Sequence, residues 1–247
     1  MKDRRIAMWS GPRNISTAMM RAFENRSDCM VSDEPLYAHY LSETGIDHPG
    51  RDEIIADGET DWRRVVAALG GPIPDGKTLW YQKHMCHHLT ASMTRNWIEA
   101  LDNVLLIRDP AAVVVSYRKA RNEVSLDEIG LPQQAALFAQ LADHLGRPPL
   151  VIDAEEFLSA PQAQLQRLCA ELQIPFEARM LHWPAGPRDS DGIWAPHWYA
   201  AVWRSTGFEP PRPCDPQAMA SLDDNSRRVV DAAEPIYRSL HAHRLQS

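Results

Sequence analysis

What this chain has little of narrows its class before any motif is read. Cysteine occurs only four times in 247 residues, at Cys29, Cys86, Cys169 and Cys214, in no paired spacing. A disulfide scaffold is therefore not expected, and a reducing, cytoplasmic setting fits. No apolar run is long enough to span a bilayer. The opening Met1-Lys2-Asp3-Arg4-Arg5 is charged, but the apolar stretch after it is too short for a secretory leader and runs straight into a loop. Positive charge is not in excess: the net charge is −7 and the isoelectric point is near 5.8. That argues against a nucleic-acid partner or a membrane surface, while leaving room for a local basic pocket. Internal repeats are absent as well.

What is present is enough apolar sequence, 44% of the chain, for a sizeable core. A single α/β domain over 1–247 is the simplest count. Strand signals recur at 5–9, 29–32, 79–82, 104–107 and 150–153, with helical patterns between several of them. This alternation predicts a three-layer arrangement, a parallel sheet with helices on both faces. Residues 43–60 are polar and carry Gly45, Pro49, Gly50 and Gly58, and they read as a mobile loop. Residues 184–192 and 209–216 are Pro-rich, so an irregular segment is expected over about 184–216. A terminal helix over 225–243 would pack through Val229, Val230, Ala233, Ile236, Tyr237 and Leu240.

Two segments carry chemistry. The first runs from the strand Arg5–Trp9 through Ser10-Gly11-Pro12-Arg13-Asn14-Ile15-Ser16-Thr17 into an apolar-periodic helix. A loop feeding a helix N-terminus points several backbone N–H groups at one spot, and the helix dipole adds positive potential there. Arg13 adds a cation, and Ser16 and Thr17 add hydroxyl donors. The loop resembles the nucleotide triphosphate form G-x-x-x-x-G-K-[ST] only loosely. Ile15-Ser16-Thr17 stand where Gly-Lys-Ser/Thr would, and the Lys is missing. The second segment is Val104–Ile107, a buried strand, followed by Arg108-Asp109-Pro110 and a helix holding Ser116. Asp109 and Pro110 read as a helix start. Arg108 and Ser116 would meet at the strand's carboxyl rim, where open α/β sheets bind ligands.

The pair of segments, P-R-x-x-S/T-T early and R-D-P…S-Y later, resembles the sulfotransferases that use 3′-phosphoadenosine 5′-phosphosulfate (PAPS). The segment Leu150–Leu158, with Pro161 and a helix over 162–172, resembles that family's late strand and helix, so the likeness spans most of 5–185. It implies the P-loop NTPase-like sulfotransferase fold and PAPS as co-substrate with no metal. It also implies a 5′-phosphosulfate loop of Gly11, Pro12, Arg13, Asn14, Ile15, Ser16 and Thr17, and a 3′-phosphate site of Arg108 and Ser116. Asn14-Ile15 replace the commoner Ser-Gly. Since Ile does not readily take positive φ, a different loop backbone is expected. The family's late R-K-G signature is absent, which leaves a cation to come from Arg188, Arg204 or Arg118.

For sulfuryl transfer the chain must supply a base and cations near the transferred group. Glu34, in Val31-Ser32-Asp33-Glu34-Pro35, is the first candidate base, since one branch of the family has a catalytic Glu after the same helix. The plain alternative is an acid capping a helix that starts at Pro35, and Asp33 competes for either role. Tyr81-Gln82-Lys83-His84-Met85-Cys86-His87-His88 holds the rival, His84, resembling the K-x-H of another branch. Lys83 would polarise the sulfate alongside Arg13, and His87 or His88 would orient the acceptor. The spacing of His84, Cys86, His87 and His88 matches no standard zinc pattern, so no metal is expected. Trp194, His197 and Trp198 either line an acceptor pocket, stack on adenine, or pack on the domain. Their aromatic character suggests an apolar or ring-bearing small-molecule acceptor. Two other readings remain open: a P-loop phosphotransferase with Asp109 after a Walker-B-like strand, and a nucleotide-binding module without chemistry.

Overall fold

A computed structural model describes residues 3–121, 123–212 and 214–246. Met1 and Lys2 of the charged opening, and Pro213 of the 209–216 stretch, lie outside the described residues. Five strands form one parallel sheet in the order β2-β3-β1-β4-β5. They are β1 (Arg4–Ser10), β2 (Cys29–Asp33), β3 (Leu79–Met85), β4 (Asp102–Ile107) and β5 (Leu150–Asp153). Each of the five expected strand segments thus forms a strand. Their near-continuous apolar runs are those of strands covered on both faces.

The helices in the first half of the chain are α1 (Ser16–Glu24), α2 (Tyr37–Thr44), α3 (Arg51–Asp57), α4 (Trp62–Leu69) and α5 (Pro110–Arg118). The second half adds α6 (Leu131–Leu145), α7 (Ala154–Ser159), α8 (Pro161–Glu171), α9 (Ala195–Trp198), α10 (Ala200–Arg204), α11 (Pro216–Ala220) and α12 (Asp224–His241). Strand alternation sorts the core into two layers. On one face, Ile6, Met8, Tyr81, Val104 and Leu106 pack against Met19, Met20 and Phe23 of α1 and Leu165 and Leu168 of α8. On the other, Ala7, Trp9, Trp80 and Leu105 pack against α4, α5, α6 and α12. The terminal helix packs through Val229, Ala233 and Leu240, with Val230, Ile236 and Tyr237 partly buried beside them.

A third cluster caps one end of the sheet. Tyr37, Tyr40 and Leu41 of α2, Ile54 of α3, and Trp194, Ala195 and Tyr199 pack together there. Here the structure corrects the reading of 43–60 as a loop. Gly50 (φ +74°) precedes α3 and Gly58 closes it. Asp52 and Glu53 fill the first turn of α3, and Ile54, 2% exposed, supplies the packing. The glycines flank a helix rather than dissolve one. Among the described residues no helix is long and apolar enough to cross a membrane.

The sheet's topology places the site. β1 lies between β3 and β4, and the chain leaves it toward β2 on one side and later fills β4 and β5 on the other. At such a switch point the loops after neighbouring strands diverge and leave a crevice outside the carboxyl ends.

Candidate functional site

The crevice is a cavity of about 510 Å³, within the range of small-molecule sites. One side is the β1–α1 loop. Pro12, Arg13, Asn14, Ile15, Ser16 and Thr17 all line it. Gly11 does not line it, but it sits so close to Ile129 that a Cβ there would lie 2.4 Å from the Ile129 carbonyl oxygen. Asn14 anchors the loop, donating from Nδ2 to the Leu106 carbonyl (3.0 Å) while Oδ1 accepts from the Ile15 N–H (2.8 Å). The left-handed residue is Arg13 (φ +55°), and Ile15 stays at φ −89°. The Ser-Gly to Asn14-Ile15 change therefore needs no positive φ at Ile15; the strain, about 1–3 kcal/mol, sits at Arg13.

Helix α1 has no side-chain cap, and a helix's first N–H groups have no intrahelical acceptor. Ser16, Thr17 and Ala18 at that end line the cavity. Arg13 donates from Nε to Ser116 Oγ (3.0 Å), and Arg108 donates from Nη1 to the Arg13 carbonyl. Thus Arg13, Arg108 and Ser116, far apart in sequence, meet at one place. Burial lowers the pKa of Arg13, and the neighbouring Arg108 lowers it further; burial also lowers that of Arg108. Two half-buried cations beside an uncapped helix end make a site that favours an anion. Of the cations weighed for the missing signature, Arg118 instead pairs with Asp223 (2.8 Å) and Arg188 with Glu24 (3.4 Å). Neither these two nor Arg204 lines the cavity, whereas Lys119 and Arg212 do.

The opposite side is built on the ends of β2 and β3, whose register pairs Asp33 with Lys83. The Lys83 ammonium is 1% exposed and donates to Asp33 Oδ1 (2.8 Å), to Glu34 Oε1 (2.6 Å) and to the Tyr199 hydroxyl. Tyr199 in turn donates to Asp33 Oδ2 (2.7 Å) and accepts from Trp194 Nε1 (3.2 Å). Burial alone would depress the ammonium, but the two carboxylates outweigh it and raise its pKa. For Glu34, burial raises the carboxyl's pKa against the lowering effect of Lys83. Its Oε2 lies 4.0 Å from His88 Nε2. Glu34 is not a helix cap: its φ is +42°, α2 begins at Tyr37, and no side chain caps that helix. Arg13 and Glu34 are two of the four non-glycine residues with left-handed φ among the described residues, and both line the cavity.

His84 is not brought to the cavity. Adjacent strand residues face opposite ways, so with Lys83 at the site, His84 turns to the other layer. There it stacks on Trp9 at 4.2 Å, with Nε2 3.2 Å from Gln82 Oε1. The short turn Cys86–His88 after β3 brings His87 and His88 to the wall instead. Trp198 reaches the cavity. Trp194 is buried against Tyr37, edge to face at 5.2 Å, and His197 is exposed over Gly50. Sequence reasoning missed Tyr199 and His48, which come from irregular stretches without a motif. Among the described residues no group of three or more His, Cys, Asp and Glu is placed to hold a metal ion.

The chain is similar to known proteins along most of its length. A family model described as a sulfotransferase domain matches residues 4–244. Two Arabidopsis thaliana proteins named branched-chain-amino-acid aminotransferase-like protein 2 and protein 1 are each 36% identical over 96% of this chain. The chain spans only 41% and 42% of their lengths. Among solved structures, the sulfotransferase domain from the curacin biosynthetic pathway aligns with a TM-score of 0.52 at 16% identity, over 95% of this chain and 98% of that one. A sulfotransferase from Alicyclobacillus acidocaldarius aligns with a TM-score of 0.53 at 15% identity, over 98% and 97%. These likenesses carry the fold, and with the match over 4–244 the chain belongs to the sulfotransferase domain family.

Proposed function

We propose that the protein transfers a sulfuryl group from PAPS to a hydroxyl or amine of a small-molecule acceptor. The observation that carries the reading is the two-ended cavity, with paired cations on an uncapped helix end at one side and a buried carboxylate–ammonium pair at the other. In this reading the Arg13–Thr17 loop holds the 5′-phosphosulfate, with Gly11 and Pro12 shaping its turn. Arg108 and Ser116 hold the 3′-phosphate. Glu34, through Oε2, takes the acceptor proton as the new O–S bond forms and the bond from sulfur to the leaving phosphate breaks. Lys83 and Arg13 stabilise negative charge gathering on the transferred group and leaving oxygen. A reducing, cytoplasmic setting accords with the four free thiols. The curated relatives are more than twice as long, and the activity of any longer protein containing this domain belongs to the same proposal.

Calorimetric titration with 3′,5′-adenosine bisphosphate tests the reading. Binding is expected without added metal, and Arg108→Ala is expected to weaken it about 10- to 100-fold, the worth of a charge-assisted hydrogen bond. A preference for ADP with magnesium would overturn the proposal in favour of phosphoryl transfer.

A further inference from the structure

Beyond Glu34 the cavity wall is rich in buried nitrogen and poor in free charge. His48, His87 and His88 all line it and are 6%, 8% and 1% exposed. His48 Nδ1 is paired with the Tyr37 hydroxyl at 2.8 Å. Four other ring nitrogens, His48 Nε2, His87 Nδ1 and both of His88, have no hydrogen-bond partner among the described residues. A buried nitrogen left unpaired bears the full cost of losing its water. Packing alone gives no reason for these rings to be imidazoles. His88 stacks against both Tyr37 and Tyr40, its centroid 4.8 Å from each, and His87 meets it edge-on at 4.5 Å. Phenylalanine would fill those places without the unpaired nitrogens.

The three rings are held neutral. Burial pushes His48 down to about 4 and His87 down to about 3, and takes His88 well below its ordinary range. A neutral imidazole offers one donor and one acceptor; a hydroxyl can meet both, whereas a carboxylate can meet only the donor. Lys83, the cation beside Glu34, is held by Asp33 and Glu34, while Lys119 and Arg212 line the cavity with Arg13 and Arg108. An acidic acceptor would bring a further negative charge beside Glu34, whose lysine is already shared between two carboxylates. Tyr37 and Trp198 line the same wall and give it an aromatic component beside the imidazoles.

We infer that the acceptor is an uncharged cyclic polyol, a sugar or cyclitol, whose hydroxyls are read by His48, His87 and His88. A hydroxyl presented to Glu34 Oε2 lies within reach of His88 Nε2, the two atoms being 4.0 Å apart. The other rings hold hydroxyls on neighbouring carbons. This inference rests on the sulfuryl-transfer reading and, of the apolar or ring-bearing acceptor that the aromatic content suggested, keeps the ring and drops the apolar character.

The test uses the full chain loaded with PAPS and follows release of 3′,5′-adenosine bisphosphate. The acceptor probes are myo-inositol, methyl glucoside and other neutral monosaccharides, against glucuronate and nitrophenol. Saturable turnover of a neutral polyol is expected. His87→Phe and His88→Phe are each expected to raise its KM about tenfold, with bisphosphate affinity within about twofold of the parent. Preference for nitrophenol or glucuronate, parental KM in both variants, or no neutral polyol turned over would each overturn the inference. If His88→Phe loses bisphosphate binding, and so its fold, the His87 variant and the ranking of probes by the parent decide. Failure of the parent to bind the bisphosphate sinks the donor reading, while binding with a preferred phenol sinks only the acceptor.

Discussion

At the scale of single residues, the most informative arrangement is Glu34. It combines a left-handed backbone, a buried carboxyl and a lysine partner. The strain at φ +42° costs about 1–3 kcal/mol and persists only because the surrounding contacts over-determine it. The Glu34 N–H donates to the Lys83 carbonyl (2.9 Å) and the carboxylate receives the Lys83 ammonium, so β3 holds this residue at both ends. On the proposed reading, Glu34→Gln keeps shape and burial but removes proton acceptance. Its turnover is expected to fall about 10²- to 10⁴-fold, the worth of a positioned base, with bisphosphate binding retained. The sign of the pH dependence follows from burial. A raised carboxyl pKa means the base becomes available only above the ordinary glutamate value of about 4.3, so turnover should climb with pH through a displaced acid limb. A limb at the ordinary value, or unchanged turnover in Glu34→Gln, would remove Glu34 from the base role. Lys83, besides its proposed part in the transfer, has a structural one. Lys83→Met leaves two buried carboxylates without a cation and is expected to cost about 3–5 kcal/mol in a urea unfolding series, with Asp33→Asn in the same chain recovering part of the loss.

At the scale of elements, the loop between β1 and α1 depends on a close approach that only glycine permits. A Cβ on Gly11 would lie 2.4 Å from a backbone oxygen, that of Ile129, which cannot swing aside as a side chain would. Gly11→Ala is therefore expected to destabilise the chain by about 1–3 kcal/mol. Because the shift falls on the residue before Pro12 and Arg13, it should also weaken bisphosphate binding; parental values in both measurements would show the loop to be slack. The five strands and helices α1, α5, α8 and α12 were legible in the sequence because apolar period and turn residues agree there, while α4 and α6 were not singled out. Arg13, Arg108 and Ser116 were legible because each sits in the loop after a strand or in the first turns of the helix that follows. What was not legible has physical causes. Lys83 and His84 are both plausible in a list of residue types, but the two-residue period of β3 allows only one of them to face the cavity. Tyr199 comes from a stretch whose path is set by long-range contacts rather than local pattern. Asp33 accepts the Gly192 N–H (3.1 Å) and Tyr199, while Asp191 accepts Arg21 (2.7 Å) and the Trp203 indole (3.0 Å). Two aspartates thus dock an irregular segment whose glycines and prolines alone signal only a turn. Helix α3 was hidden for the opposite reason, since the glycines that read as breakers are its boundaries.

At the scale of the whole molecule, the three packed clusters close over more imidazole than they can pair, and acid stability should report it. His48, His84 and His87 are driven by burial to about 4, 3 and 3, and His88 is taken down further by the same cause. In the unfolded chain each titrates near 6.5. Below that pH the unfolded state binds protons that the folded state refuses, so unfolding free energy must fall as pH falls, from about 6.5 until the folded values near 3 to 4 are reached. Each ring contributes a slope of up to about 1.4 kcal/mol per pH unit. Glu34 works against this trend, because its raised carboxyl takes up a proton earlier in the folded state; one group opposes four. The reference values of carboxylates lie at about 3.9 to 4.3, so the interval between about 6 and 5 belongs mainly to the histidines. Urea unfolding at stepped pH is expected to show stability already declining there, and His87→Phe should flatten that decline by the share of one ring. A stability curve level down to about pH 5 would mean that the rings take up protons in the folded state. It would also remove the neutral wall on which the polyol acceptor depends, so one inexpensive titration bears on both the packing of the third cluster and the chemistry of the cavity.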